Sequence, residues 1–265
     1  MHPIERLRFV ARSSGASQSA VVRETAGALA AFQDDPAGMV TACRRIVGRH
    51  PGVGALWWLC ARVLTAVEPI DEAWAAADEV DEDATAWALA GALPEAATVC
   101  VLGWPEIIAQ ALVRRGDLDV LVVDVAGEGS GLVRRLQRAE IDAVDVPLGG
   151  LGAAAAASDL ILLEAEVCGP DQALAVSSSL AAAAVGAHAS VPRWLVAGVG
   201  RLLPRRYVES IVDRLAPLDD PWDADLEWMP LTLIDRLVGP AGPELVSDGL
   251  RRTACPVAPE LLVAL

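Results

Sequence analysis

The stretch Ser158-Asp-Leu-Ile-Leu-Leu-Glu-Ala-Glu-Val-Cys-Gly-Pro-Asp171 decides how this chain folds. Asp159 opens an uninterrupted apolar run, Leu160 to Leu163, that stops abruptly at Glu164, Ala165 and Glu166. A strand buried on both faces of a parallel sheet reads this way where it emerges at its carboxyl edge. Open α/β sheets place their ligands and their chemistry at that edge. Beyond Gly169-Pro170, residues 174–187 predict an alanine-rich helix and residues 194–197 a second strand. The segment is therefore expected to be a βαβ unit with its carboxylates at the crevice.

The same rhythm extends toward the N-terminus. Apolar strand-like runs at 98–102, 120–125 and 143–146 alternate with helical stretches near 107–114 and 132–139. Strands and helices in alternation imply a doubly wound parallel sheet with right-handed crossovers. Residues 1 to about 90 read differently, as helices joined by short breaks. Ile4, Leu7 and Val10 mark a first helix and residues 19–32 a second. Asp35-Pro36 supplies an N-cap and an N1 proline for a third, and two more follow through residue 80. The fold class expected is α/β: an N-terminal helical domain, 1–93, followed by a Rossmann-like domain, 94–265, with the boundary at Leu93-Pro94. In the last third, 217–230 reads as an irregular loop and 231–238 as a final segment.

Composition narrows the function classes. At 54% hydrophobic residues the chain has material for a substantial core. No apolar run is long enough to span a bilayer, and the first residues lack the order of a signal peptide, so a cytoplasmic protein without membrane contact is expected. A net charge of −15 disfavours nucleic acid and anionic surfaces as partners. There is no lysine, so an arginine can clamp a phosphate but no side chain can form a Schiff base. The five cysteines are widely spaced, without a C-x-x-C pair, and His2, His50 and His188 have no ligand spacing. Neither a metal nor a cofactor is expected.

Two places carry candidate chemistry. At Thr98-Val-Cys-Val-Leu-Gly-Trp-Pro-Glu106 a strand turns into a helix at Gly103, followed by Trp104, and the free amides of such a junction can hold a phosphate. On the residues alone Cys100 reads more readily as an inert core thiol than as a reactive one. Glu164 and Glu166 set two carboxylates at one strand end, where proximity raises one pKa, or where both are simply solvated.

These motifs resemble those of the translation initiation factor 2B alpha/beta/delta subunit family, which includes methylthioribose-1-phosphate isomerase and ribose-1,5-bisphosphate isomerase. Asp159 to Glu166 is similar to the family's aspartate, apolar strand, Gly-Ala-Asp signature, with Glu166 in place of the aspartate and Glu164 in place of the glycine. Thr98 to Gly103 resembles the isomerases' cysteine segment. The resemblance implies Cys100 and Glu166 as an acid/base pair for aldose–ketose isomerisation. It implies a phosphorylated sugar or nucleotide held by Gly103, Trp104, Glu164 and Ser177 to Ser179, the serines standing where the family has Asn-Lys-x-Gly-Thr. Ser14-Gly15-Ala16, with Arg12 nearby, corresponds to an Arg-Gly-Ala turn. Asp235 falls in a segment like the family's Leu-Ile-Asp. A homodimer or larger homo-oligomer is implied as well. The departures at polar positions leave open a second function, a non-catalytic regulatory or assembly protein acting through oligomerisation and protein partners.

Overall fold

The computed structural model describes residues 18–125, 127–215 and 221–263. The first predicted helix, with Arg12, Gly15 and Ala16, lies outside them. In chain order the helices are α1 (Gln18–Leu29), α2 (Pro36–Arg49), α3 (Gly54–Thr65), α4 (Pro69–Asp81), α5 (Thr85–Ala92), α6 (Glu106–Arg115), α7 (Gly129–Arg138), α8 (Leu151–Ala157), α9 (Ser179–Ala189), α10 (Arg205–Arg214) and α11 (Val246–Leu250). The strands are β1 (Thr98–Leu102), β2 (Asp119–Asp124), β3 (Asp142–Pro147), β4 (Leu160–Cys168), β5 (Gln172–Val176), β6 (Arg193–Val196), β7 (Leu226–Pro230), β8 (Arg236–Gly239) and β9 (Gly242–Leu245). The protein is a mixed α/β chain, with helices first and a mostly parallel sheet after them.

The chain forms two compact units. The helical unit contains described residues 18–83, 199–215 and 253–263. Asp35 caps α2 as its sequence predicts, accepting a hydrogen bond from Gly38 N at 2.9 Å. Its core is built on Trp57, fully buried, whose ring lies 5.3 Å from that of Tyr207. Trp58 Nε1 donates to Ala254 O at 3.2 Å, and the Tyr207 hydroxyl accepts from Ala258 N at 2.7 Å. These bonds fasten the segment 253–263 to α3 and α10. The acidic α4 is neutralised locally: Arg23 pairs with Asp78 and Asp81, and Arg62 with Glu72 and Glu79.

The α/β unit contains described residues 84–125, 127–198 and 221–252. Its sheet runs β3-β2-β1-β4-β6-β8-β9, parallel except for β9. Alternate residues of each strand face opposite ways. Val99, Val101, Val120, Val122, Leu160 and Leu162 pack into a core with α5, α6 and α7. Cys100, Leu102, Ile161 and Leu163 face the other side, which α8 and α9 cover. The strand order reverses between β1 and β4, because the chain crosses from β3 back over the sheet before β4. That switch point opens the crevice at the carboxyl ends of β1 and β4.

Two expectations need correction. Residues 174–176 are not helical, because Gly169 N bonds Gln172 O at 2.9 Å and turns the chain into a hairpin. β5 then pairs antiparallel with the outer half of β4, across a bulge between Ala165 and Val167, and the helix starts only at Ser179. The stretch expected to be a loop before Pro230 instead contains β7, which pairs with β5 and completes a small antiparallel extension. The residues at 231–238 divide into a 3-10 turn, Leu231–Leu233, and the start of β8.

Candidate functional site

Register fixes what meets at the switch point. Val101 on β1 pairs with Leu162 on β4, so Gly103 falls level with Glu164. Gly103 has φ +62, a conformation that favours glycine, and its N–H bonds Val123 O at 2.9 Å. The chain then turns through Trp104 and Pro105 into α6. Pro105 at the N-cap offers no capping side chain, so the first amides of α6 need an acceptor from elsewhere.

Glu164 is that acceptor. Its carboxylate takes the N–H of Glu106 at 3.1 Å, of Ile107 at 2.9 Å and of Ile108 at 3.0 Å. The residue is only 9% exposed. An anion bonded to three amides at a helix N-terminus is stabilised by both the bonds and the helix dipole. The amides expected to be free for a phosphate are thus taken up by the chain's own carboxylate.

The neighbouring helices follow the same pattern. Asp124 at the end of β2 accepts from Gly129 N at 3.1 Å, at the start of α7. Glu227 on β7 accepts from Leu180 N at 2.8 Å, at the start of α9. Neither helix has a capping side chain at its own N-cap residue. Nothing local in the sequence marks Asp124 or Glu227 as the cap of a helix beyond its own strand. The signal that could have found Asp124 is the lack of a good N-cap residue at the start of α7; α9 begins at three serines, which point to a local cap instead.

The other predicted residues are dispersed. Cys100 lies inside β1, fully buried, on the α8 face, while Leu162 and Glu164 share the α6 face. Burial pushes the Cys100 thiol up to about 12. Its register partner is Ile161, and Glu166 stands five residues further along β4, about 16 Å at ~3.3 Å per residue. The structure does not bring Cys100 and Glu166 together. Trp104 turns its ring onto α7, where a Cβ on Gly131 would stand 2.5 Å from Trp104 Cζ3.

Asp235 stands at the opposite edge of the sheet. Its carboxylate accepts Arg193 N at 2.8 Å and Arg193 Nη2 at 2.6 Å, at the amino end of β6. Ser177, Ser178 and Ser179 form the turn from β5 into α9, near enough to the crevice for Val176 to approach Gly103. Ser177 N bonds Asp225 O at 2.9 Å, and Ser178 has φ 74. Ser179 is fully buried and its Oγ has no hydrogen-bond partner. Among the described residues no cluster of His, Cys, Asp and Glu is placed to hold a metal ion, and no helix is long and apolar enough to cross a membrane.

No family model matches this chain, and no curated protein matches its sequence. Solved structures do. The translation initiation factor eIF-2B of Pyrococcus horikoshii OT3 superposes with a TM-score of 0.78 at 12% identity, covering 94% of this chain and 98% of that one. The eIF2B beta of Chaetomium thermophilum gives 0.72 at 15% identity, covering 99% and 93%. A chain of the tetrameric eIF2B-beta2-delta2 complex from C. thermophilum gives 0.76 at 16% identity, covering 94% and 92%. Helical region, switch-point sheet and hairpin extension together, the chain has the eIF2B-like fold.

Proposed function

We propose that this protein is a non-catalytic assembly module that acts by associating with other copies of its chain, as a homodimer or larger oligomer. Glu164 carries the reading. Aldose–ketose isomerisation of a phosphorylated sugar needs a proton donor and acceptor placed across the substrate and a free locus for the phosphate. Here three amides of α6 are taken up by a buried carboxylate, and the thiol proposed as the partner of Glu166 is buried and protonated. The eIF2B beta and delta chains of C. thermophilum, of like fold, are described as a tetrameric complex. Association of this chain is in keeping with that.

A second reading keeps the crevice as a binding site for a phosphorylated sugar or nucleotide. It is favoured by Ser179, whose buried Oγ without a partner sits at the start of α9 beside Ser177 and Ser178. One experiment separates the two. Thermal denaturation is followed with ribose phosphates, methylthioribose 1-phosphate and nucleoside monophosphates in turn. A ligand at about 100 times its Kd adds about 2.7 kcal/mol to stability and must raise Tm. The assembly reading expects no rise with any of them; a reproducible rise with one sugar phosphate overturns it in favour of the second.

A further inference from the structure

Three of the five cysteines belong to the helical unit, and two of them meet in its core. α2 and α3 pack against each other and are joined by the short turn 50–53, so they run antiparallel. The turn is fixed: Val53 N bonds His50 O at 3.2 Å, and Trp57 Nε1 donates to Pro51 O at 3.1 Å. Cys43 stands six residues before the end of α2 and Cys60 six residues after the start of α3. At 1.5 Å per residue each is about 9 Å from the turn, which sets the two level across the hairpin. Cys43 shares the buried side of α2 with Met39, Ile46 and Val47, and both cysteines are fully buried. Their side chains interact: the Cys43 thiol, together with burial, pushes the Cys60 thiol well above its ordinary value.

We propose that Cys43 and Cys60 form a modification site, a dithiol that a small organic disulfide converts into a disulfide bridging α2 and α3. Either cysteine alone is a small apolar residue in a core; a pair that meets across two helices has a reaction that neither has by itself. The site stands on the helical unit and is independent of whether the chain assembles. The reaction is thiol–disulfide exchange. One cysteine, as thiolate, attacks a sulfur of the reagent, breaks its S–S bond and releases one thiol. The second cysteine attacks the first one's sulfur in the mixed disulfide, forms the Cys43–Cys60 bond and releases the other thiol. The protein gives up two electrons and two thiol hydrogens, and the reagent is reduced to two thiols. Burial sets the rate and not the outcome, because the thiolates form only when the helices open locally. Once made, the bond closes the loop 43–60 and removes freedom from the unfolded chain. The stability of the helical unit is thereby tied to the thiol–disulfide balance around it.

To test this, the full chain is equilibrated with mixtures of reduced and oxidised glutathione, both natively and through a cycle of urea unfolding and refolding that exposes the thiols. Free thiols are then blocked by alkylation, and the chain is cleaved at arginine, which separates Cys43 from Cys60 at Arg44, Arg45 and Arg49. Mass spectrometry is expected to find the two peptides joined, and lighter than their sum by two hydrogen atoms. The bridged protein should melt about 5–10 °C above the reduced one, a rise that a reducing agent abolishes. Cys43→Ala and Cys60→Ala should lose both the bridge and the rise. Cys255→Ser, at the partly exposed thiol, should keep both. If an alanine variant does not fold, the peptide map of the wild type still decides. A wild type whose Cys43 and Cys60 are alkylated at every glutathione ratio overturns the proposal. So does a bridge from Cys60 to Cys255, the two thiols near Tyr207. A Cys43–Cys60 bridge that does not raise Tm overturns it as well, since a pair set in place by the fold closes without strain.

Discussion

Glu164 shows how a single side chain can change the meaning of a site. As a sequence feature it is a carboxylate after an apolar strand, and its place at the crevice is legible from the strand alone. Its role is not, because the partner amides lie 56 to 58 residues away and belong to a helix whose own start lacks a cap. Removing the carboxylate in Glu164→Ala leaves Ile107 N and Ile108 N buried without an acceptor. The expected loss is on the order of 2–4 kcal/mol, read from urea denaturation, with Glu164→Gln losing less because one oxygen remains. His50 gives a second residue-level outcome. Burial, aided by Arg49, holds its pKa below 6.5 in the folded protein. The unfolded chain therefore takes up a proton that the folded chain resists, so stability present above pH 6.5 is lost progressively as pH falls below that value toward the lower folded pKa. His50→Gln should flatten that part of a Tm-against-pH curve, and an unchanged slope would contradict the assignment.

Elements were legible in proportion to how far their pattern was local. β1 runs over the predicted residues because five apolar-rich positions lie between a loop and a glycine turn. α2 begins where Asp35-Pro36 places it. β5 is hidden because the alanines on either side of Ser177 to Ser179 read together as one helix, whereas the serine turn and the hairpin at Gly169-Pro170 mark where strand gives way to helix. β7 is hidden for the converse reason, since Asp, Pro and Trp mask a strand whose one strand partner among the described residues is β5. The segment 253–263 is another element held by bonds rather than by pattern. Tyr207→Phe removes the acceptor for Ala258 N in a buried setting, and should cost about 1–3 kcal/mol by urea denaturation. Proteolysis under native conditions should then cut first within 253–263, where wild type resists.

For the whole molecule, the sheet order and the two units follow from sequence rhythm only up to a point. Alternating strands and helices announce the parallel sheet, but no composition marks 199–215 and 253–263 as segments that return to the helical unit. The candidate site was legible as a place and not as a mechanism. Gly103 and Glu164 meet where the strand ends said they would, whereas Cys100, Glu166 and Asp235 are held apart by register and by the two edges of the sheet. β4 has one consequence that reaches across the α/β unit. Its first residues bond β1 and β6 in the parallel sheet, and its last bond β5 in the antiparallel extension. A strand shared between two ladders cannot leave one without loosening the other. Both ladders should therefore open to solvent in a single cooperative step, their amides exchanging together and last, so that the strand ends at the switch point are kept rigid by a backbone the two ladders share.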